Sequence, residues 1–272
     1  MRAKKSLGQH FLTSPHAVNE IIKAADIRNE GNITEKILEI GPGTGILTQK
    51  LLEAGAKVFA CEKDDRAIPL LEQKFADFIK KGSLELIHAD ILTLDISKYG
   101  LTEGNYKIIA NIPYYITGEI LERFLEKVAA PSSMVLMVQK EVADRIMARD
   151  HKESILSLSI KIFGKPLYIS HVSRGSFNPP PNVDSAVIKI EGITQEFFKT
   201  SNILPSFAFS IIKSGFAHKR KLLIRNLESV FTDPNSKEKL ATTWKSLGLD
   251  TNVRAEDLDL EKWKTLIRAL AD

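Results

Sequence analysis

An α/β fold is predicted: a mostly parallel sheet with helices on both faces and a C-terminal antiparallel hairpin, plus a small all-α C-terminal domain. Three observations carry this. Short apolar strands alternate with helical segments over residues 36–148, a glycine-rich turn follows the first of these strands, and no strand pattern is legible after Gly192. Strands apolar on both faces need cover on both faces, which is what crossover helices between parallel strands provide.

The elements follow in order. Residues 14–30 read as a helix, with Ser14 as N-cap, Pro15 in the first turn, and Val18, Ile21, Ile22 and Ala25 at helical spacing. Residues 36–40 are a strand, 44–54 a helix stopped by Gly55, 57–62 a strand and 65–80 a helix. Residues 84–87 and 107–110 are the third and fourth strands, 117–129 a helix, 134–138 a continuous apolar strand and 141–148 a helix. Residues 153–163 are helical. Leu167 to Val172 and Ala186 to Ile190 form the hairpin, joined by a proline-rich turn. Residues 194–272 read as helices broken at Pro205, Gly215, Pro234 and Gly248. The expected division is a catalytic domain over 1–193 and a helical domain over 194–272.

The chain has 272 residues, 43% hydrophobic and 26% charged, a length that suits one large domain and a small one. No apolar run reaches the ~20 residues of a membrane span. The basic start, Met1 to Lys5, precedes no apolar signal core, so a cytoplasmic location is expected. The single cysteine, Cys61, excludes an internal disulfide framework and reads as an inert thiol in a buried strand. With six scattered histidines no zinc-like cluster forms, and no metal is expected.

Glu39-Ile40-Gly41-Pro42-Gly43-Thr44-Gly45 lies between the first strand and the first helix of the sheet. Its glycines permit a tight turn and close approach to a ligand at the carboxyl end of a strand. Glu62 ends the next strand, 21 positions beyond Gly41, where a carboxylate can accept from both hydroxyls of a ribose. The spacing is Gly-x-Gly-x-Gly, not the Gly-x-Gly-x-x-Gly of pyrophosphate binders, and an acid precedes it. Both features suit a cationic, phosphate-free nucleoside. Glu39 touches that ligand through water or caps backbone amides. Together these residues resemble the S-adenosylmethionine site of Rossmann-like methyltransferases. The resemblance implies that Asp90, at the end of the third strand, holds the adenine amino group.

Asn111-Ile112-Pro113-Tyr114 follows the fourth strand at the same sheet edge. An exocyclic adenine nitrogen is a poor nucleophile because its lone pair is delocalised into the ring. Two acceptors against its hydrogens, the Asn111 oxygen and the Ile112 carbonyl, favour a tetrahedral nitrogen whose lone pair faces a sulfonium methyl. Pro113 fixes the turn and removes a competing N–H. Tyr114 offers a ring for an extruded base.

Further motifs resemble the small-subunit (16S) ribosomal RNA adenine dimethyltransferases of the KsgA type over essentially the whole chain. Leu7-Gly8-Gln9-His10-Phe11-Leu12 is similar to their N-terminal motif, which implies cofactor contacts from His10 and Leu12. The family commonly has asparagine where this chain has His10. The segment Phe177 to Ser185 resembles the family's Phe-x-Pro-x-Pro-x-Val-x-Ser stretch, implying that Phe177 packs on the target base opposite Tyr114. From the residues alone, a core plug beside the hairpin is the other reading of Phe177. Phe207 to Leu227 resembles the family's basic C-terminal region.

Net charge is +4 with a pI near 8.9. Lys213, Lys219, Arg220, Lys221 and Arg225 occur with no acid between them, and Arg2, Lys4 and Lys5 form a second cluster. A phosphate-binding face and a solvated helix face are both compatible with such runs. The resemblance implies an RNA partner in a pre-30S particle, two adjacent adenosines in a hairpin near the 3′ end of the RNA as target, and each modified twice. A monomer is expected. The alternatives are an adenine methyltransferase of 23S RNA of the macrolide-resistance type, a non-catalytic assembly factor and a small-molecule methyltransferase.

Overall fold

The computed structural model describes residues 1, 3–4, 8–30 and 33–271. Strands β1 (Lys36–Ile40), β2 (Lys57–Glu62), β3 (Leu84–His88), β4 (Tyr106–Asn111), β5 (Ser133–Gln139), β6 (Lys165–Val172) and β7 (Ser185–Glu191) form one sheet. Its order is β3-β2-β1-β4-β5-β7-β6. The first five strands are parallel, and the hairpin β6–β7 joins β5 antiparallel, as the sequence predicts. The order reverses between β1 and β4, and in open α/β sheets a ligand crevice lies at such a reversal, beyond the carboxyl ends of the strands.

Helix α1 (Pro15–Ala25) is capped by Ser14, which accepts from the Ala17 amide, and stops at Asp26 with φ 46°. It ends sooner than the sequence pattern suggests, since a left-handed residue cannot continue a helix. Helix α2 (Ile46–Glu53) follows the glycine loop. One helix is expected over 65–80. Instead α3 (Ile68–Lys74) and α4 (Ala76–Lys80) are separated at buried Phe75, whose backbone leaves the helical region at φ −113°, ψ 22°. Helix α5 (Thr117–Glu122) passes into a π-turn over Arg123–Lys127, and α6 (Lys140–Met147) follows β5. The Arg123 guanidinium donates to the Leu92 and Leu94 carbonyls, a long-range anchor at that turn. Val18 and Ile21 of α1, Leu47 and Leu51 of α2, and Val58, Ile109 and Val187 of the sheet share one hydrophobic core.

The chain divides into two units, residues 1–143 with 165–193 and residues 144–164 with 194–272. One break of this division falls at 193/194. Residues 144–164 differ, because their partners lie late in the chain. Phe163 packs against Phe198 and Phe209 with ring centroids 5.1 and 6.0 Å away, and the Glu153 amide donates to the Glu256 carbonyl.

The second unit is helical: α7 (Ile155–Lys161), α8 (Glu196–Ser201), α9 (Pro205–Gly215), α10 (Leu223–Leu227), α11 (Pro234–Ser246) and α12 (Leu260–Ala271). Ser154 and Ser157 make a reciprocal capping box on α7. A Cβ on Gly215 would lie 2.5 Å from Trp263 Cη2 and 2.8 Å from Leu223 Cδ1. Gly215→Ala is therefore expected to destabilise this unit by roughly 2 kcal/mol, overpacking outweighing the gain of up to about 1 kcal/mol in helix propensity. Urea unfolding followed by tryptophan fluorescence checks this, and an unchanged midpoint would contradict the packing argument. Among the described residues no helix is long and apolar enough to cross a membrane.

Candidate active site

Beyond the carboxyl ends of β1 and β4 lies a cavity of about 320 Å³, walled by residues 8–12, the loop 39–44, Glu62, Asp90 and residues 111–116. Of the residues singled out by sequence, His10, Leu12, Gly41, Gly43, Glu62, Asp90, Asn111, Ile112, Pro113 and Tyr114 all line it.

The loop is built as its glycines require. Gly41 and Gly43 have φ +69° and +56°, and a Cβ on Gly41 would meet no protein atom within 4 Å. Gly45 does not line the cavity. At φ +74° its missing side chain admits Phe75, whose Cε2 would stand 2.6 Å from a Cβ there. The missing side chain at Gly45 thus serves packing of the loop against Phe75.

Glu62 is 6% exposed, and its two oxygens accept from the amides of Gly43 at 3.1 Å and Asp64 at 2.8 Å. Its carboxylate is thereby fixed to the glycine loop. Asp90 accepts from the Leu92 amide at 2.9 Å and from Lys63 Nζ at 2.8 Å, and the Lys63 bond leads in holding its carboxyl below the usual range. Glu39 is 1% exposed, and neither of its oxygens has a partner in hydrogen-bonding geometry. Burial, with the Glu62 charge adding, pushes its pKa to about 8, against 4.5 ordinarily; Thr48 and Lys74 pull it down without cancelling this. A buried acid held protonated in this way ionises more readily beside a positive charge, so this cavity wall fits a cationic ligand such as S-adenosylmethionine.

The raised Glu39 pKa has a sign that can be checked. Between pH 4.5 and about 8 the folded chain holds a proton that the unfolded chain has lost, so stability falls as pH rises through that window. Glu39→Gln is expected to remove this decline. Its melting temperature should gain on the parent's from pH 5 to pH 9, with the largest gain at pH 9. Parallel curves would contradict the assignment.

Cys61 is 2% exposed and its Sγ lies 3.4 Å from the Ala89 carbonyl; burial, with the Glu62 and Asp90 charges, pushes the thiol up to about 12. Its burial and raised pKa fit the core thiol expected from its strand.

Asn111 ends β4, and its Nδ2 donates to the His10 carbonyl at 3.2 Å. Because a carbonyl only accepts, this bond sets which end of the amide is nitrogen and leaves Oδ1 as an acceptor. The Tyr114 hydroxyl lies 2.6 Å from Ser185 Oγ, and burial raises its pKa, with the Ser185 bond opposing. Phe177 is not in the cavity wall. It is 4% exposed in the hydrophobic core, with Phe177 paired to Leu12 and Asn178 to Phe11 in a short antiparallel ladder. This pairing ties residues 11–12 to residues 177–178 and leaves the ring buried.

Sequence reasoning misses several residues here. Gln9 Nε2 donates to Asp64 Oδ2 at 2.7 Å, and Arg66 bonds both Asp64 oxygens, at 2.9 and 2.6 Å. The Arg66 guanidinium, with help from Gln9, holds the Asp64 carboxyl well below its usual range. Tyr115 is 60% exposed at the cavity rim. Gln9 carries a signal as part of the N-terminal motif, and Lys63 as the neighbour of Glu62. Asp64 and Arg66 carry none.

Lys213, Lys219, Arg220, Lys221 and Arg225 are all exposed in the helical unit. Arg225 pairs with Glu228 at 2.9 Å, and Lys219 lies 4.0 Å from Glu256. Asn226 Nδ2 braces the basic turn by donating to the Gly215 and His218 carbonyls. Lys4 has its amide on Gln9 Oε1 at 2.9 Å. Lys5, with Arg2 and Leu7, lies outside the described residues.

Comparison with known proteins agrees with this geometry. The model of the family described as ribosomal RNA adenine dimethylase matches residues 1–272. A protein of Dehalococcoides mccartyi named ribosomal RNA small subunit methyltransferase A is 39% identical, over 98% of this chain and 88% of its own. Its namesake in Streptococcus gordonii is also 39% identical, over 98% and 91%. A crystal structure of a dimethyladenosine transferase from Plasmodium falciparum aligns with a TM-score of 0.78 at 27% identity, covering 94% of this chain and 96% of that one. The structure of the 23S rRNA methyltransferase ErmE aligns with a TM-score of 0.72 at 21% identity, over 96% and 100%, a likeness of fold. The chain belongs to the ribosomal RNA adenine dimethylase family and is a methyltransferase.

Proposed function

We propose that this chain transfers methyl groups from S-adenosylmethionine to N6 of two adjacent adenosines in a hairpin near the 3′ end of small-subunit ribosomal RNA, acting as a cytoplasmic monomer on a pre-30S particle. The observation that carries this is one cavity in which the Asn111-to-Tyr114 turn faces the glycine loop, Glu62 and Asp90. The small-subunit naming of relatives at 37–39% identity supports the choice of RNA.

Each residue has a chemical task. Gly41 and Gly43 let the backbone approach the cofactor. Glu62 accepts from its ribose hydroxyls, and Asp90 accepts from its adenine amine. Buried Glu39 ionises beside its positive charge and so balances it. When bound, the cofactor supplies a methyl group on an electron-poor sulfonium. Asn111 Oδ1 and the Ile112 carbonyl hold the target amine with its lone pair toward that methyl, and Tyr114 stacks on the base. The gain in rate comes from in-line positioning and fixed dipoles. Lys4, Lys5, Lys213, Lys219, Arg220, Lys221 and Arg225 contribute phosphate contacts, so binding should weaken steeply with salt.

The test incubates the protein and labelled S-adenosylmethionine with either 30S particles or 23S RNA. Label in dimethyladenine of small-subunit RNA alone is expected. Label in 23S RNA alone would overturn the reading, and 30S binding without label would favour an assembly factor.

A further inference from the structure

Arg123 does not line the cavity, yet a chain of hydrogen bonds joins it to one wall. Its Nη1 donates to the Leu92 carbonyl at 2.7 Å and its Nη2 to the Leu94 carbonyl. The Leu92 amide in turn donates to Asp90 Oδ1 at 2.9 Å. Leu92 and Asp90 both line the cavity. Lys63 Nζ takes the other Asp90 oxygen at 2.8 Å, but that lysine side chain is 59% exposed, so water competes for the bond. The Arg123 bonds are part-buried and charge-assisted, and they hold the backbone of the turn itself. Arg123 also opens a π-turn, a rare element that clusters at functional sites. Its Nε is buried without a hydrogen-bond partner among the described residues, so the guanidinium rests on the two carbonyls.

We propose that Arg123 is a positioning residue for cofactor selectivity, fixing the turn after β3 so that Asp90 accepts from an adenine amine and rejects a base without one. This deepens the reading of Asp90 as the adenine acceptor and rests on it. Hypoxanthine differs from adenine in two adjacent atoms: an oxygen replaces the amine, and the neighbouring ring nitrogen carries a proton. A carboxylate held in one place opposite the amine meets that oxygen with oxygen and is left without a donor. A carboxylate free to shift by one ring position accepts from the ring N–H instead. Selectivity therefore depends on how firmly Asp90 is held, and the Leu92 amide that holds it belongs to the same residue whose carbonyl Arg123 grips. The charge of Arg123 acts in the same direction: after the Lys63 bond and the Leu92 amide, it helps keep the Asp90 carboxyl below its usual range, ionised and acceptor-only.

The test measures, by calorimetry, the Kd of S-inosylhomocysteine divided by that of S-adenosylhomocysteine. A general loosening of the cavity weakens both ligands and cancels in this ratio. The parent should prefer the adenine ligand by about 100-fold or more, since a site built to bond a polar group rejects the analogue lacking it. Arg123→Ala should lower the ratio by at least about tenfold, and Arg123→Lys, a point charge in place of a fork, by about threefold. In an Asp90→Ala background the ratio has already fallen, and Arg123→Ala should change it by less than about twofold. The proposal is overturned if Arg123→Ala keeps the parental ratio, or if it lowers the ratio equally with and without the Asp90 carboxylate. Should Arg123→Ala fail to fold, Arg123→Lys read in both backgrounds decides. A parent that binds neither ligand, or binds both alike, removes Asp90 from the adenine and this proposal with it. A selective parent whose ratio ignores Arg123 overturns this proposal alone.

Discussion

Asn111→Ala is expected to lower kcat for methyl transfer by roughly 100- to 1,000-fold, the usual cost of removing one preorganised polar group at a reacting centre. The expectation rests on the direction of one amide. Asn111 Nδ2 is committed to the His10 carbonyl, so Oδ1 is the atom left to face an incoming amine. Alanine removes that acceptor and leaves the Ile112 carbonyl to hold the amine alone. The β4 backbone need not change, because Ala110 and Asn111 keep their parallel register with Leu136 and Met137. Cofactor affinity should therefore stay within about tenfold, ~1.4 kcal/mol. Single-turnover transfer to 30S particles, paired with calorimetry of cofactor binding, checks both halves. A variant that transfers at the parental rate, or one that has unfolded, would remove Asn111 from the role.

The sheet and the cavity wall were legible because their signals are local. Each central strand is a short apolar run, and the turns after β1 and β4 carry glycines or Asn-x-Pro-Tyr beside it. What escaped depends on distant partners. The break at Phe75 is set by its packing into the space above Gly45, thirty positions earlier. The π-turn at Arg123 answers to carbonyls at Leu92 and Leu94. The helical spacing within residues 144–164 suits either unit, and contacts with Phe198, Phe209 and Glu256 far along the chain tie them to the second. Phe177 is the instructive case. A phenylalanine before a proline-rich turn suits a surface stack or a core plug, and the pairing with Leu12, 165 positions away, that buries its ring leaves no local trace in the sequence. Asp64 and Arg66 sit in an ordinary charged run, Glu62 to Arg66, and nothing in that run shows that Gln9 will reach them.

Glu62→Ala is expected to cost about 3 kcal/mol in cofactor affinity, a factor of roughly 150, since hydrogen bonds to a charged group contribute about 1.5–3 kcal/mol each. The carboxylate does two jobs. It accepts from the amides of Gly43 and Asp64, which fixes its rotamer and ties the glycine loop to the end of β2. Its remaining lone pairs face the cavity that Glu62 lines. Alanine leaves both amides without that acceptor and removes the acceptor for the ribose hydroxyls. The parent should also be more stable than the variant without any ligand, so the informative quantity is the ligand-induced shift and not the melting temperature itself. At a ligand concentration of 100 times the parental Kd, S-adenosylhomocysteine should stabilise the parent by about 2.7 kcal/mol. A 150-fold weaker site at that same concentration is less than half filled, and its stabilisation falls to about 0.3 kcal/mol. Glu62→Gln should recover little, because its NH₂ end would meet one of the two amide N–H groups head-on. A Glu62→Ala protein whose ligand-induced shift equals the parent's would show that the loop binds without its carboxylate, and the ribose assignment would have to move to another residue.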